Sequence, residues 1–247
     1  MDEEKQRDDQ SVSTQAVDEC SDGQVSSAPL LDVEPRLENR GNYSYLQSGQ
    51  YSDLTIVDRA GRRWQVHKVI VCSECEFFAN AIKGGFKEAE TGVIELPNDD
   101  PAAVRALLEY IYAKDYNPIR AAELNYILMF HVEVYIIGEI YNMPDLKDLA
   151  FDHIVSMLVC IKPSCYMVVP IVKRIYESTP ESDRRIRDFL LDVSLVHIHG
   201  LLVMKKFLNV MVEYPAFRRG IAQGVLQGQE RIDCYGCDYI TRRSRKR

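Results

Sequence analysis

The sequence predicts an α+β domain followed by a purely helical region. Residues 53–58 and 64–67 alternate apolar and polar side chains, as half-buried strands do, and a polar turn with Gly61 separates them. Segments with helical spacing follow at once and can cover the apolar face of this hairpin, which alone is only marginally stable. After Ile161 the pattern of apolar residues is helical throughout. These three observations indicate an α+β core and an α-helical extension.

Two short helices are predicted directly after the hairpin. Residues 68–75 and 77–83 are rich in Val, Ile, Phe and Ala, and the pair Gly84-Gly85 ends the second pattern. Residues 93–96 then alternate again, which predicts a third short strand.

A strong helix is predicted to begin after Asp100. This aspartate stands at the expected N-cap, and Pro101 stands at the first helical position, where a backbone N–H has no partner within the helix. Val104, Leu107 and Ile111 then repeat at helical spacing. The predicted order of elements is therefore ββααβα.

Six motifs in this region resemble, in the same order, those of the BTB/POZ domain family. They are Ser52-Asp53-Leu54-Thr55-Ile56, Trp64-Gln65-Val66-His67-Lys68, Phe77-Phe78, Gly84-Gly85-Phe86-Lys87-Glu88, Ile94-Glu95-Leu96-Pro97 and Leu107-Leu108-Glu109-Tyr110-Ile111-Tyr112. The segment from Tyr135 to Leu149 is most similar to the BTB proteins of filamentous fungi, and the resemblance covers about residues 45–160. It implies the BTB/POZ fold, a short three-stranded sheet flanked by helices. It also implies a module for protein interaction and dimerisation that has no catalytic activity of its own.

Composition limits the class of protein. The chain has 247 residues, of which 46% are hydrophobic and 27% charged, and these values are ordinary for a soluble globular protein. It has no apolar run of about 18 residues and no apolar core of a signal peptide at its N-terminus, so we expect neither a membrane span nor secretion. Seven scattered cysteines favour a reducing compartment, cytoplasm or nucleus. The net charge of −7 argues against nucleic-acid binding by the folded part, because contacts to phosphates need clustered Lys and Arg.

The composition changes along the chain and predicts four regions. Residues 1–42 are acidic and polar with few aromatic residues, and we expect this leader to be disordered. Residues 43–161 form the predicted BTB/POZ domain, and residues 162–227 the helical extension. Residues 228–247 are a tail with a CxxC motif and a basic cluster.

The segment from Tyr43 to Gln50 precedes the first strand and contains the apolar residues Tyr45 and Leu46. A short helix or an extended arm is predicted here. The resemblance implies a contribution to a two-fold interface, and the alternative is a lead-in segment that packs on its own domain.

Phe86 and Glu88 match the pattern of an apolar residue, any residue and Glu, with which BTB adaptors bind a cullin scaffold. One exposed aromatic side chain can dominate the free energy of such an interface, and an adjacent carboxylate can orient it. This is a possible cullin contact by resemblance only. The alternative is that Phe86 caps the core of its own domain.

Asp53 and Lys68 match positions that the resemblance places near the upper groove of a dimer, where some family members recruit co-repressor peptides. Lysine lacks the planar fork of arginine, so a bidentate contact would be weakened. The alternative roles of this candidate charge pair are a structural ion pair and a helix cap.

Two long helices complete the predicted core. Apolar residues from Leu124 to Tyr141 occupy more than one stripe, so this helix is expected to be enclosed on most sides. Pro144 begins the next helix, and the short loop predicts antiparallel packing. His131 lies in the first of the two helices, and we expect a core or boundary histidine rather than a metal ligand.

The extension contains several shorter helices. Residues 171–178 are predicted to form a helix with Pro170 at its start. Either Ser182 or Asp183 caps the next helix, and Gly200 is predicted to end it.

The tail carries Cys234 and Cys237, the ends of a lone CxxC motif. This motif is half of a zinc site or a redox pair, but two further ligands are not evident nearby, which favours a metal-free tail. The basic cluster 242–247 is a nuclear import signal, a weak phosphate-binding tail or a solvated terminus.

The sequence therefore predicts a non-catalytic interaction protein that homodimerises through a BTB/POZ domain and presents a surface to other proteins, without a small-molecule substrate. One alternative is a substrate adaptor of a cullin-based ubiquitin ligase, although no separate substrate-reading module is visible. Another is a transcription-associated regulator that uses the basic tail. No catalytic motif is recognised, so neither enzyme activity nor a cofactor is expected.

Overall fold

A computed structural model describes most of the chain. The described residues are Leu37, residues 40–119, residue 121, residues 123–160 and residues 165–227. Most of the leader and the whole tail, including Cys234, Cys237 and the basic cluster, lie outside these ranges, so the predictions for those regions stay predictions. No helix within the described ranges is long and apolar enough to cross a membrane.

A three-stranded sheet forms the centre of the first region. Its strands are β1, Leu54–Asp58, β2, Arg63–Val66, and β3, Val93–Leu96, and their order in the sheet is β2-β1-β3. β1 pairs with β2 as the predicted antiparallel hairpin and with β3 in parallel. The side chains of β1 and β2 alternate between buried and more exposed positions, as the sequence pattern predicts.

Five helices accompany this sheet. They are α1, Tyr43–Ser48, α2, Lys68–Glu74, α3, Glu76–Lys83, α4, Lys87–Thr91, and α5, Pro101–Ala113. Asp100 caps α5 as predicted, because its carboxylate accepts hydrogen bonds from the backbone N–H groups of Ala102 and Ala103. The predicted ββααβα order omits α4, a single turn without an apolar repeat that hydrophobic periodicity does not detect.

The two long helices are α6, Leu124–Ile140, and α7, Pro144–Cys160, and α7 begins at the predicted proline. They are antiparallel, since the ring centroids of His131 and His153 lie 4.7 Å apart and those of Tyr135 and Phe151 lie 6.3 Å apart. Nearly every residue from Phe130 to Gly138 is buried, which confirms that α6 is enclosed.

One hydrophobic core joins these elements. Trp64 of β2, Ile94 of β3 and Leu107 of α5 belong to the same buried cluster, which also includes Val134 of α6 and Phe151 of α7. The fold is thus the predicted α+β arrangement of a small sheet flanked by helices.

The second region is helical. Its elements are α8, Cys165–Ser178, α9, Arg184–Val196, α10, Ile198–Leu202, α11, Lys205–Glu213, and α12, Pro215–Leu226. Two boundaries were predicted wrongly. Pro170 lies inside α8 rather than at its start, in the second turn, where its missing N–H costs the helix one hydrogen bond. Gly200 lies within α10, and α9 already ends at Val196.

The extension packs against α6 and α7. The guanidinium of Arg174 in α8 donates hydrogen bonds of 2.6 and 2.7 Å to the carboxylate of Glu133 in α6. The Phe189 ring of α9 lies 5.5 Å from that of Phe151 in α7. The α6–α7 pair and the extension therefore share an interface that contains aromatic and charged side chains.

Candidate functional site

Asp53 and Lys68 are adjacent, and their contact is a helix cap. Oδ1 of Asp53 accepts a hydrogen bond of 2.7 Å from the backbone N–H of Lys68, the first residue of α2. The negative charge of the carboxylate also interacts favourably with the positive end of the helix dipole at the N-terminus of α2. The contact uses the main-chain N–H of Lys68 and not its ammonium group, so it matches the helix-cap alternative. A role of the pair in peptide recruitment stays a prediction.

The predicted segment before β1 is the short helix α1. Tyr43 and Leu46 are buried in the core of the domain, whereas Tyr45 is 42% exposed. The Tyr45 ring contacts His67 edge-on, with the ring centroids 5.9 Å apart. One face of α1 therefore packs on its own domain, and another reaches the surface beside α2.

His67 connects α1 to α2 and α5. Its Nε2 lies 2.7 Å from the carbonyl oxygen of Gln50, which only accepts, so Nε2 carries the proton. Nδ1 then accepts from the hydroxyl of Tyr112 at 2.8 Å. Burial raises the pKa of Tyr112 to about 12, which keeps this hydroxyl protonated. The network fixes the backbone between Gln50 and α2.

Three exposed apolar side chains belong to the segments that this network joins, and we call them the α1–α2 surface: Tyr45, Tyr51 and Val69. Tyr51 and Val69 are each 78% exposed. Tyr51 follows Gln50, which is bonded to His67, and Val69 is the second residue of α2. Exposed apolar groups that cluster on a rigid support are typical of protein-interaction sites.

Phe86 lies at the surface, 65% exposed, immediately before α4. This exposure favours an accessible side chain over a cap on the core of its own domain. Gly84 makes room for its ring, because a Cβ at Gly84 would lie 2.4 Å from Cδ2 of Phe86. Glu88 lies in the first turn of α4 and is half-buried. We call Phe86 and Glu88 the Phe86 surface.

His131 is a buried core histidine, as predicted. Its Nδ1 lies 2.8 Å from the hydroxyl of Tyr116, and its ring stacks on His153. Burial, with a smaller effect of His153, lowers the pKa of His131 to about 3, so the imidazole is neutral.

No cluster of three potential metal ligands occurs in the part of the chain that the structure describes. Cys72 and Cys75 are free thiols, and burial raises the pKa of both, which makes them poor nucleophiles.

Comparison with known families agrees with this geometry. The sequence model of the family described as BTB/POZ domain matches residues 43–158. Residues 43–158 form a BTB/POZ domain. Its sheet, its flanking helices and the α6–α7 pair are the elements described above, and the BTB/POZ domain is a protein-interaction module.

Two curated relatives match part of the chain. The chain is 33% identical over 73 residues to the mouse Rho-related BTB domain-containing protein 1, which is 30% of this chain and 10% of that protein. It is 27% identical over 113 residues to the human Rho-related BTB domain-containing protein 1, or 46% of this chain and 15% of that protein. The aligned parts are thus a small share of these relatives, and the predicted fungal affiliation is not addressed by them.

The sequence alone suggested the Phe86 surface and the Asp53–Lys68 contact but missed the α1–α2 surface as a unit. Tyr51 and Val69 are far apart in the sequence, and the hydrogen bonds of His67 help to bring their segments together. A local sequence pattern contains no signal for this long-range contact between Gln50, His67 and Tyr112.

Proposed function

We propose that this chain is a non-catalytic interaction protein that homodimerises through the α1–α2 surface of its BTB/POZ domain. The observation that carries the proposal is the exposure of Tyr45, Tyr51 and Val69 around the rigid His67 network. Burying such side chains against a second copy would remove apolar area from water, at about 25 cal/mol per Å². The dimer would leave other surfaces free for partners.

Sedimentation of the full chain over a range of concentrations tests this proposal. We expect a concentration-dependent dimer, and Val69→Asp should weaken it at least about tenfold because a charge would be desolvated in the interface. Val212→Asp is the matched control, since Val212 is 71% exposed on α11. A wild-type chain that stays monomeric at tens of micromolar, or equal dimerisation of Val69→Asp, contradicts the proposal.

A second candidate function is that of a cullin adaptor, and the exposure of Phe86 favours it. The aromatic ring is available as an anchor, and Glu88 lies two residues later in the first turn of α4. Capture of a cullin by the wild type but not by Phe86→Asp would support this function. Tyr126→Asp is the control, because Tyr126 is 63% exposed on α6. No capture by the wild type, or equal capture by Phe86→Asp, would rule it out.

A further inference from the structure

A polar depression lies between α1, β2 and α5, with a volume of about 470 Å³. Arg62, Arg63 and Gln65 line it from the hairpin, and Gln47 lines it from α1. These side chains offer hydrogen-bond donors and positive charge, although the whole chain has a net charge of −7.

The acidic residue nearest to these arginines in the hairpin does not neutralise them. Oδ1 of Asp58 accepts hydrogen bonds from the backbone N–H groups of Ala60 and Arg62 at 2.9 and 3.0 Å, and Oδ2 accepts one from Nε1 of Trp64 at 3.2 Å. The carboxylate is buried and holds the turn in shape. Arg62 instead stacks on Trp64, with its guanidinium carbon 3.7 Å from the ring centroid, which fixes the charge at the rim.

Glu109 is the acidic residue among those that line the depression, and its charge is already compensated. It forms an ion pair of 2.8 Å with Arg105, and its second oxygen accepts a hydrogen bond of 2.9 Å from the backbone N–H of Asn117. Arg62 and Arg63 have no ion-pair partner in the ranges that the structure describes. The depression therefore carries a net positive charge.

β2 is at one edge of the sheet. The backbone N–H of Asp58 in β1 donates a hydrogen bond to the carbonyl oxygen of Arg62. In the register of the two strands, Val57 lies opposite Arg63. In an antiparallel pair this places the N–H and C=O groups of Arg63 and Gln65 on the side away from β1. An open strand edge can hydrogen-bond to an extended peptide, and such binding takes its specificity from the neighbouring side chains.

We propose that this depression binds an extended, acidic segment of a partner protein, whose carboxylates contact Arg62 and Arg63 while its main chain lies along the edge of β2. Arginine suits this role because its planar fork binds carboxylates in a bidentate manner. The inference rests on the BTB/POZ domain being an interaction module. It depends neither on homodimerisation nor on cullin binding. Failure of the peptide-binding experiment is therefore distinguishable from failure of the sedimentation or cullin-capture experiment.

The test uses the full chain and a fluorescein-labelled peptide in which glutamate and threonine alternate, followed by fluorescence anisotropy. We expect saturable binding that weakens as salt concentration rises. Arg63→Glu should lower the affinity at least about tenfold, and Arg63→Gln should lower it less, because only the first adds a repulsive charge. Arg219→Glu, an exposed arginine of α12, makes the same change of net charge and should leave the affinity within about twofold.

Several results would overturn the proposal. Absence of saturable binding is one, and equal losses with Arg63→Glu and Arg219→Glu are another, since they would indicate attraction to net charge only. Equal binding of a peptide in which glutamine replaces glutamate would exclude carboxylate recognition. Displacement of the labelled peptide by a single-stranded oligonucleotide at lower concentration than by unlabelled peptide would indicate a nucleic-acid site instead. A circular dichroism spectrum of each variant checks that it is folded.

Discussion

The hydroxyl of Tyr135 in α6 lies 2.9 and 3.0 Å from the two carboxylate oxygens of Asp183, the residue before α9. Lys147 of α7 places its Nζ 2.9 Å from the same carboxylate. Asp183 was one of the two predicted caps of α9, but its side chain makes no cap hydrogen bond. It joins the extension to the BTB/POZ domain instead, and burial together with this hydrogen bond raises the pKa of Tyr135 well above its ordinary value.

Asp183→Ala should therefore destabilise the chain by about 2–4 kcal/mol, because it leaves a buried hydroxyl unpaired and removes one carboxylate partner of a lysine. Urea unfolding followed by circular dichroism measures the change. Asp188→Ala is the control, since Asp188 forms an exposed pair with Arg184 within one helix, and we expect a loss below about 0.5 kcal/mol. Equal free energies of unfolding for the two variants would contradict this role of Asp183.

Asp100→Ala should lower the free energy of unfolding by about 1 kcal/mol. The reason is that Oδ1 of Asp100 accepts hydrogen bonds of 2.9 and 3.0 Å from the N–H groups of Ala102 and Ala103. Asp100→Asn keeps an acceptor at the N-cap and should lose only a few tenths of a kcal/mol. The same urea titration compares the two. If asparagine is as destabilising as alanine, the charge of Asp100 rather than its cap hydrogen bonds supports α5.

Stability should fall in mild acid because of His131. Its folded-state pKa is about 3 and its ordinary value is 6.5, so below pH 6.5 the unfolded chain takes up a proton that the folded chain does not. One such group lowers the free energy of unfolding by about 2 kcal/mol between pH 8 and pH 5. His153, whose ring stacks on His131, and the hydroxyl of Tyr116 face this group.

His131→Gln removes this titration and keeps an acceptor for the hydroxyl of Tyr116. The variant should be less stable than the wild type at pH 8 but lose about 2 kcal/mol less on going to pH 5. Urea unfolding at both pH values gives the difference. Parallel losses in the two proteins would show that other groups cause the acid sensitivity.

Local sequence signals predicted those elements that local interactions determine. The N-cap at Asp100, the proline that begins α7 and the alternation in β1 are each recognisable within a few residues. The exposure of Phe86 and the actual contacts of Asp183 depend on residues far along the chain, and no local pattern contains them. Pro170 was misplaced because propensity makes proline a helix start, whereas packing of α8 against α6 outweighs the missing hydrogen bond.

Gly138 and Gly200 should respond to alanine with opposite signs. A Cβ at Gly138 would lie 3.1 Å from the backbone nitrogen and 3.2 Å from Cα of Lys147, so α6 and α7 touch at this point. The obstacle is backbone of a packed helix and cannot rotate away. Gly138→Ala should therefore destabilise by about 1–3 kcal/mol, although alanine is the better helix former.

At Gly200, within α10, an added Cβ would meet no atom within 4 Å. Gly200→Ala should consequently stabilise the chain by up to about 1 kcal/mol, because it lowers the conformational entropy of the unfolded state without a clash. Thermal unfolding of both variants beside the wild type checks the two signs in one experiment. A stabilising Gly138→Ala would mean that α6 and α7 are farther apart than the antiparallel contact at Lys147 requires.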